Sequence, residues 1–240
     1  MSKNTLSTDD ARDQHGNPSG ILEQANDVFD DMVELRRDLH RWPEISNHLP
    51  RTRERVLQSL EGLPLDITLH ETTSGIAAML TGGKPGPTVL LRADMDALPM
   101  PEDTNVDFKS NVENAMHACG HDAHMSMLLG AAAVLSKMRN QFDGTVVFIF
   151  QPAEEGVPEG ETGGAPQMIV DGALADPKPE AVFGIHVWPG VAGHLYYRAG
   201  GAMASNDVFH IQLKGKQTHG ALPWGGIDVV SVGSQLVLAF

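Results

Sequence analysis

Pro87-Thr88-Val89-Leu90-Leu91-Arg92-Ala93-Asp94-Met95-Asp96 is an apolar run that ends on two carboxylates. It follows the turn Gly82-Gly83-Lys84-Pro85-Gly86, and a short apolar run bounded this way reads as a buried strand. Asp94 and Asp96 then stand at its carboxyl end, on one face of an extended chain, because side chains alternate with a period of two. The same sequence of events recurs downstream. Residues 145–150 are an apolar strand leading into Gln151-Pro152-Ala153-Glu154-Glu155, and residues 181–187 are another, with His186 near its end. Helical spacing separates the runs at 119–138 and 165–174, and two further helices precede them at 26–42 and 51–61. Apolar strands alternating with helices indicate a layered α/β domain. Its chemistry-bearing residues gather at strand carboxyl ends, the edge where open α/β sheets bind ligands.

Between the first two strands lies Ala115-Met116-His117-Ala118-Cys119-Gly120-His121-Asp122-Ala123-His124, a turn feeding a helix. A lone buried cysteine is ordinarily a small hydrophobe. Here the Cys-x-His spacing and the carboxylates at neighbouring strand ends point to a metal site, since a thiolate binds zinc-like ions and loses its proton to them. With Cys119 and His121 in place, His124 reads as a supporting or helix-surface group, and His117 as a further donor within the same turn. Glu154 and Glu155 leave a strand end in different directions, so one can bind metal while the other faces an open coordination position. That division suits metal-assisted hydrolysis, in which a carboxylate takes a proton from water and returns it to the leaving group. His186 is either a metal ligand or a hydrogen-bonded core histidine. Asp94 and Asp96 are ligands, carboxylates that orient a histidine, or caps. By its local sequence His219 is a loop histidine. No Gly-x-Ser-x-Gly elbow and no phosphate loop occurs.

The totals exclude several classes. A net charge of −14 over 240 residues argues against nucleic acid. One cysteine forbids an internal disulfide. The N-terminus has no apolar signal region and no apolar run is long enough for a membrane span, so the expected protein is soluble and cytoplasmic. The expected organisation is a polar, mobile leader over 1–25, a catalytic metal-binding domain over 26–200 and the start of a second domain over 201–240. In the last, 207–214 alternates like a half-exposed strand and 227–240 reads as a helix. The chain stops on the apolar face of that helix, which leads to the expectation of a truncated domain.

Several stretches resemble a known family in the same order: 91–99 (Leu-Arg-Ala-Asp-Met-Asp-Ala-Leu-Pro), 116–124, 148–156 (Phe-Ile-Phe-Gln-Pro-Ala-Glu-Glu-Gly) and 184–189 (Gly-Ile-His-Val-Trp-Pro). They are similar to the amidohydrolase branch of the dinuclear aminoacylase/carboxypeptidase-type metallopeptidases. That branch holds hippurate hydrolases, N-acyl-amino-acid amidohydrolases and plant auxin-conjugate hydrolases. Leu39-His40-Arg41-Trp42-Pro43-Glu44 also resembles the family's first helix end.

The resemblance implies a three-layer zinc-exopeptidase-like domain with a mixed sheet, followed by the start of an α+β, ferredoxin-like lid. It implies two divalent ions, manganese or zinc, held by Cys119, His121, Glu155 and His186, with the cysteine shared. Glu154 would be the general base for hydrolysis of N-acyl or N-aroyl amino acids by a metal-bound water. His219 would bind substrate, and the lid would make a homodimer. Asp94 and Asp96 fall where other branches place a His-x-Asp ligand motif whose histidine is absent here. The family also supplies a further ligand histidine beyond this chain's length. The competing expectation is therefore an inactive remnant or a non-catalytic metal-binding module.

Overall fold

The computed structural model describes residues 18–205 and 207–240, which fall into a larger unit ending at His194 and a smaller one, Leu195–Phe240. The larger unit runs α1 (Pro18–Asp27), α2 (Phe29–Arg41), α3 (Pro50–Leu60), β1 (Asp66–Leu69), β2 (Ile76–Thr81), β3 (Thr88–Asp94), α4 (His121–Lys137), β4 (Thr145–Gln151), α5 (Gly164–Val170) and β5 (Ala181–Gly184). Of the stretch expected as a leader, residues 18–25 lie in α1 and the rest falls outside the described residues.

The strands form one mixed sheet in the order β1-β2-β4-β3-β5. β2 is antiparallel to β1 and β4, whereas β3 is parallel to β4 and β5. Asp94 is level with Gln151, and Arg92 with Gly184. The carboxyl ends of the three parallel strands therefore share one edge of the sheet.

Alternation along the strands sorts the core into two clusters. Ile76, Ala78 and Leu80 of β2 and Phe148 and Phe150 of β4 pack with Leu35 and Leu39 of α2, Val56 and Leu60 of α3, and Met125, Leu128 and Leu129 of α4. The intervening residues Val147 and Ile149, with Leu90, pack against Met168 of α5 on the opposite face. Helices cover both faces, giving three layers. The strand pattern dictates this, because a strand covered on both sides must be apolar at successive positions.

Two local differences from the sequence reading concern strands in this unit. The strand expected over 181–187 stops at Gly184, where its pairing with β3 ends, so His186 lies beyond the strand rather than within it. β1 has no counterpart in the sequence reading although Ile67 and Leu69 alternate with Asp66 and Thr68; it is exposed at every position and is held by backbone pairing to β2.

In the smaller unit, α6 (Val229–Ala239) realises the helix expected over 227–240. Asp228 caps it, accepting from the Val230 and Ser231 amides at 2.9 and 3.4 Å. The strand expected over 207–214 is not formed. Among the described residues this stretch pairs with nothing, and the unit's one bridge joins Lys216 to Ile227. Without a partner, alternation cannot close a strand's backbone hydrogen bonds. No helix of the described residues is long and apolar enough to cross a membrane.

Candidate metal centre

α4 begins at His121 behind Gly120, whose φ of 89° lies in the left-handed region that favours glycine. A Cβ on Gly120 would stand 2.3 Å from Val187 Cγ2, so the turn and the segment after β5 close directly onto each other. That closure sets Cys119 Sγ 3.3 Å from His186 Nε2.

Backbone groups fix which nitrogen of each histidine is free. His121 Nδ1 lies 2.7 Å from the Asp96 carbonyl. A carbonyl only accepts, so Nδ1 carries the proton and Nε2 presents its lone pair. His186 repeats the arrangement, with Nδ1 donating to the Val187 carbonyl at 2.6 Å and Nε2 turned to Cys119. His124 differs. Its Nε2 accepts the Val187 amide at 2.9 Å and its Nδ1 donates to Asp94 Oδ1 at 2.7 Å, so no lone pair remains.

His121 Nε2 is buried without a hydrogen-bond partner. It lies 3.6 Å from Asp94 Oδ2, 3.7 Å from Glu155 Oε1 and 3.8 Å from Glu154 Oε2. Burial works against a second proton on this ring, yet Asp96 and Asp94 outweigh it and raise His121 above its ordinary 6.5. A field that favours a proton at Nε2 also favours a divalent cation there. An orphaned imidazole nitrogen facing carboxylates is a donor set that such an ion fits.

Among the described residues, three groups of donors lie with their ligand atoms within 4.8 Å of one another: Cys119/His121/His186, His121/Glu154/Glu155 and Asp94/His121/His124. The third is already spent. His124 has no free nitrogen, and Asp94 Oδ2 accepts from Arg92 Nη1 at 2.6 Å. Burial alone would raise the Asp94 carboxyl, but His124, His121 and Arg92 bring it down to about 2. Asp96 is also occupied, its two oxygens accepting the Glu154 and Glu155 amides at 2.9 and 3.0 Å. The first two groups keep free donors and overlap at His121.

Burial, then Glu155 and Glu154, push the Cys119 thiol up to about 12. A nucleophilic cysteine needs the opposite environment, whereas a metal ion deprotonates a coordinating thiol outright. Glu155 is the more enclosed glutamate, its side chain 20% exposed against 41% for Glu154. His117 is buried with neither ring nitrogen paired and belongs to none of the donor groups. His219 lies in the smaller unit, where its Nδ1 accepts the Ala221 amide at 3.1 Å.

Sequence reasoning assigned no role to Arg92 and left that of His124 open. Period-two spacing of Arg92 and Asp94, and the i,i+3 spacing of His121 and His124, place each pair on one face. A buried ionic group behind the turn was not read from sequence at all. His40 meets Asp122 at 2.7 Å and Glu102 at 3.3 Å, and Arg36 meets Asp122 at 2.7 Å.

A profile of Peptidase family M20/M25/M40 matches residues 90–225. IAA-amino acid hydrolase ILR1-like 2 of Arabidopsis thaliana is 41% identical over 89% of this chain and 47% of its own. N-acyl-L-amino acid amidohydrolase of Geobacillus stearothermophilus is 38% identical over 90% of this chain and 57% of its own. The crystal structure of Bacillus subtilis YXEP, described as a dinuclear metal binding peptidase, superposes with a TM-score of 0.62 at 38% identity, covering 68% of this chain and 44% of that one. The chain spans about half the length of the curated relatives it matches.

Proposed function

Because the chain belongs to Peptidase family M20/M25/M40, we propose that the protein hydrolyses the amide bond of N-acyl or N-aroyl amino acids. The observation that carries this reading is the unpartnered His121 Nε2, facing Glu154 and Glu155 beside the Cys119–His186 pair. Cys119, His121, Glu155 and His186 would hold two divalent ions, manganese or zinc. His121 has one free lone pair and can serve one ion, so a group shared between two ions is the Cys119 thiolate or a carboxylate. Ions held there would supply Lewis acidity, bringing the pKa of a water toward about 7 and polarising the amide carbonyl.

The chain's own residues do the rest. Glu154, the more exposed of the two glutamates, takes a proton from the attacking water and hands it to the departing nitrogen. Asp96 holds the Glu154 and Glu155 amides, and Asp94 with Arg92 and His124 anchors the wall behind His121. His219 would bind substrate from a lid of which the smaller unit is the beginning, and the lid would pair two copies into a homodimer. A thiol among the ligands suits a reducing cytoplasm. The relatives' names as hydrolases do not favour the competing reading of a non-catalytic module.

Glu154→Gln tests the assignment. Hydrolysis of a hippurate-type substrate is expected to fall by about 10²–10⁴ with bound metal unchanged. Unaltered turnover in this variant would sink the mechanism.

A further inference from the structure

Residues 42–49, between α2 and α3, touch the site from behind at several points. The Glu44 carbonyl accepts the Ala97 amide at 2.8 Å, the Ser46 carbonyl accepts the Ala153 amide at 3.1 Å, and the Asn47 carbonyl accepts the Ser74 amide at 2.9 Å. Ser46 and Ala153 have φ of 73° and 50°. Two non-glycine residues thus stand in the left-handed region, joined by a hydrogen bond, a conformation that persists only where surroundings enforce it.

The Asn47 side chain reaches further. It is 4% exposed. Its Nδ2 donates to Glu161 Oε2 and to the Thr162 carbonyl, both at 3.1 Å, and its Oδ1 accepts the Gly164 amide at 3.4 Å. Those partners lie at the far end of the segment that leaves β4 with Pro152, carries Glu154 and Glu155, and returns at α5. The two ends meet backbone to backbone. A Cβ on Gly164 would stand 2.4 Å from the Pro152 carbonyl oxygen and 2.7 Å from that of Ala153.

We propose that Asn47 is a positioning residue that closes the base of the loop 152–163 and thereby sets where Glu154 and Glu155 stand. The inference rests on the reading of Glu155 as a metal ligand and Glu154 as the base. Asp96 grips the loop from the metal side through the Glu154 and Glu155 amides, and Asn47 grips the return arm. Asn47 touches none of the donor atoms, so its substitution acts through the loop alone.

The test is amide hydrogen exchange and manganese titration on the chain. Asn47→Leu keeps the bulk and removes the hydrogen bonds. Asn47→Asp replaces the donor with an acceptor opposite Glu161, and adding Glu161→Gln restores a donor to that pair. Both single variants are expected to speed exchange at the Glu154 and Glu155 amides at least about tenfold, with the β2 amides unchanged. Manganese affinity should fall about 10–100-fold, the range for losing a group that supports a ligand, and the double variant should recover part of both, since the bond to the Thr162 carbonyl stays lost. Unchanged exchange at 154–155, an equal rise in β2, faster exchange with unaltered manganese affinity, or no recovery in the double variant would each overturn the proposal. Failure of the underlying reading has a separate signature. Glu155→Gln would leave manganese affinity intact, or Glu154→Gln would leave turnover intact, while the exchange result stood.

Discussion

A histidine with a carboxylate at each ring nitrogen cannot keep a lone pair. His40 is 3% exposed and faces Asp122 at Nδ1 and Glu102 at Nε2, so both nitrogens donate and the ring is an imidazolium. Burial by itself pushes His40 down and Arg36 opposes its charge, but Asp122 and Glu102 prevail and raise it above 6.5. A folded value above the unfolded one means stability that is complete below pH 6.5 and is lost as pH rises through the raised value. His40→Ala should cost about 3–5 kcal/mol near pH 6, as for one partner removed from a buried ionic pair. The cost should shrink as the pH is raised, measured by urea unfolding; a cost independent of pH would refute the imidazolium. At this scale the convergence of Cys119, His121, Glu154, Glu155 and His186 was legible, because strand-end positions are readable from apolar runs. The role of His124 was not, since it hangs on the backbone amide of Val187, and no side-chain pattern announces a backbone partner from a distant segment.

The element that bears most on the site is the entry to α4. Gly120 combines a left-handed backbone with van der Waals closure on Val187, a stiff β-branched side chain. Gly120→Ala must therefore strain the backbone and drive Val187 outward, carrying His186 away from Cys119. Stability is expected to fall by about 1–3 kcal/mol, with a matching drop in metal affinity. Combining it with Val187→Ala should recover the affinity more than the stability, because the clash is relieved while the backbone strain remains. Equal recovery of both would mean that the contact, not the conformation, is what glycine serves. Most helices and buried strands follow from their own periodicity, as with Phe148 and Phe150 on one face of β4 and Val147 and Ile149 on the other. Where the pattern misled, the cause was pairing. β1, exposed at every position, forms because β2 offers it a ladder, and 207–214 has the alternation but no strand partner among the described residues.

Across the molecule, the centre gathers Asp94, Asp96, Glu154 and Glu155 around buried histidines in a chain of net charge −14. A divalent ion bound there relieves repulsion in the folded state and has no equivalent site in the unfolded one. Manganese or zinc at 100 times its dissociation constant should add about 2.7 kcal/mol to stability, seen as a higher melting temperature that a chelator reverses. A melting temperature indifferent to both ions would contradict a metal centre of this composition. The sheet order has a consequence for how the chain is made. β2 and β3 are consecutive in sequence but not neighbours in space, and both of β3's partners, β4 and β5, come later. On the ribosome the Val89-Leu90-Leu91 run must wait for about 60 further residues before its first partner is complete at Gln151, roughly 3–12 s at ordinary rates of synthesis.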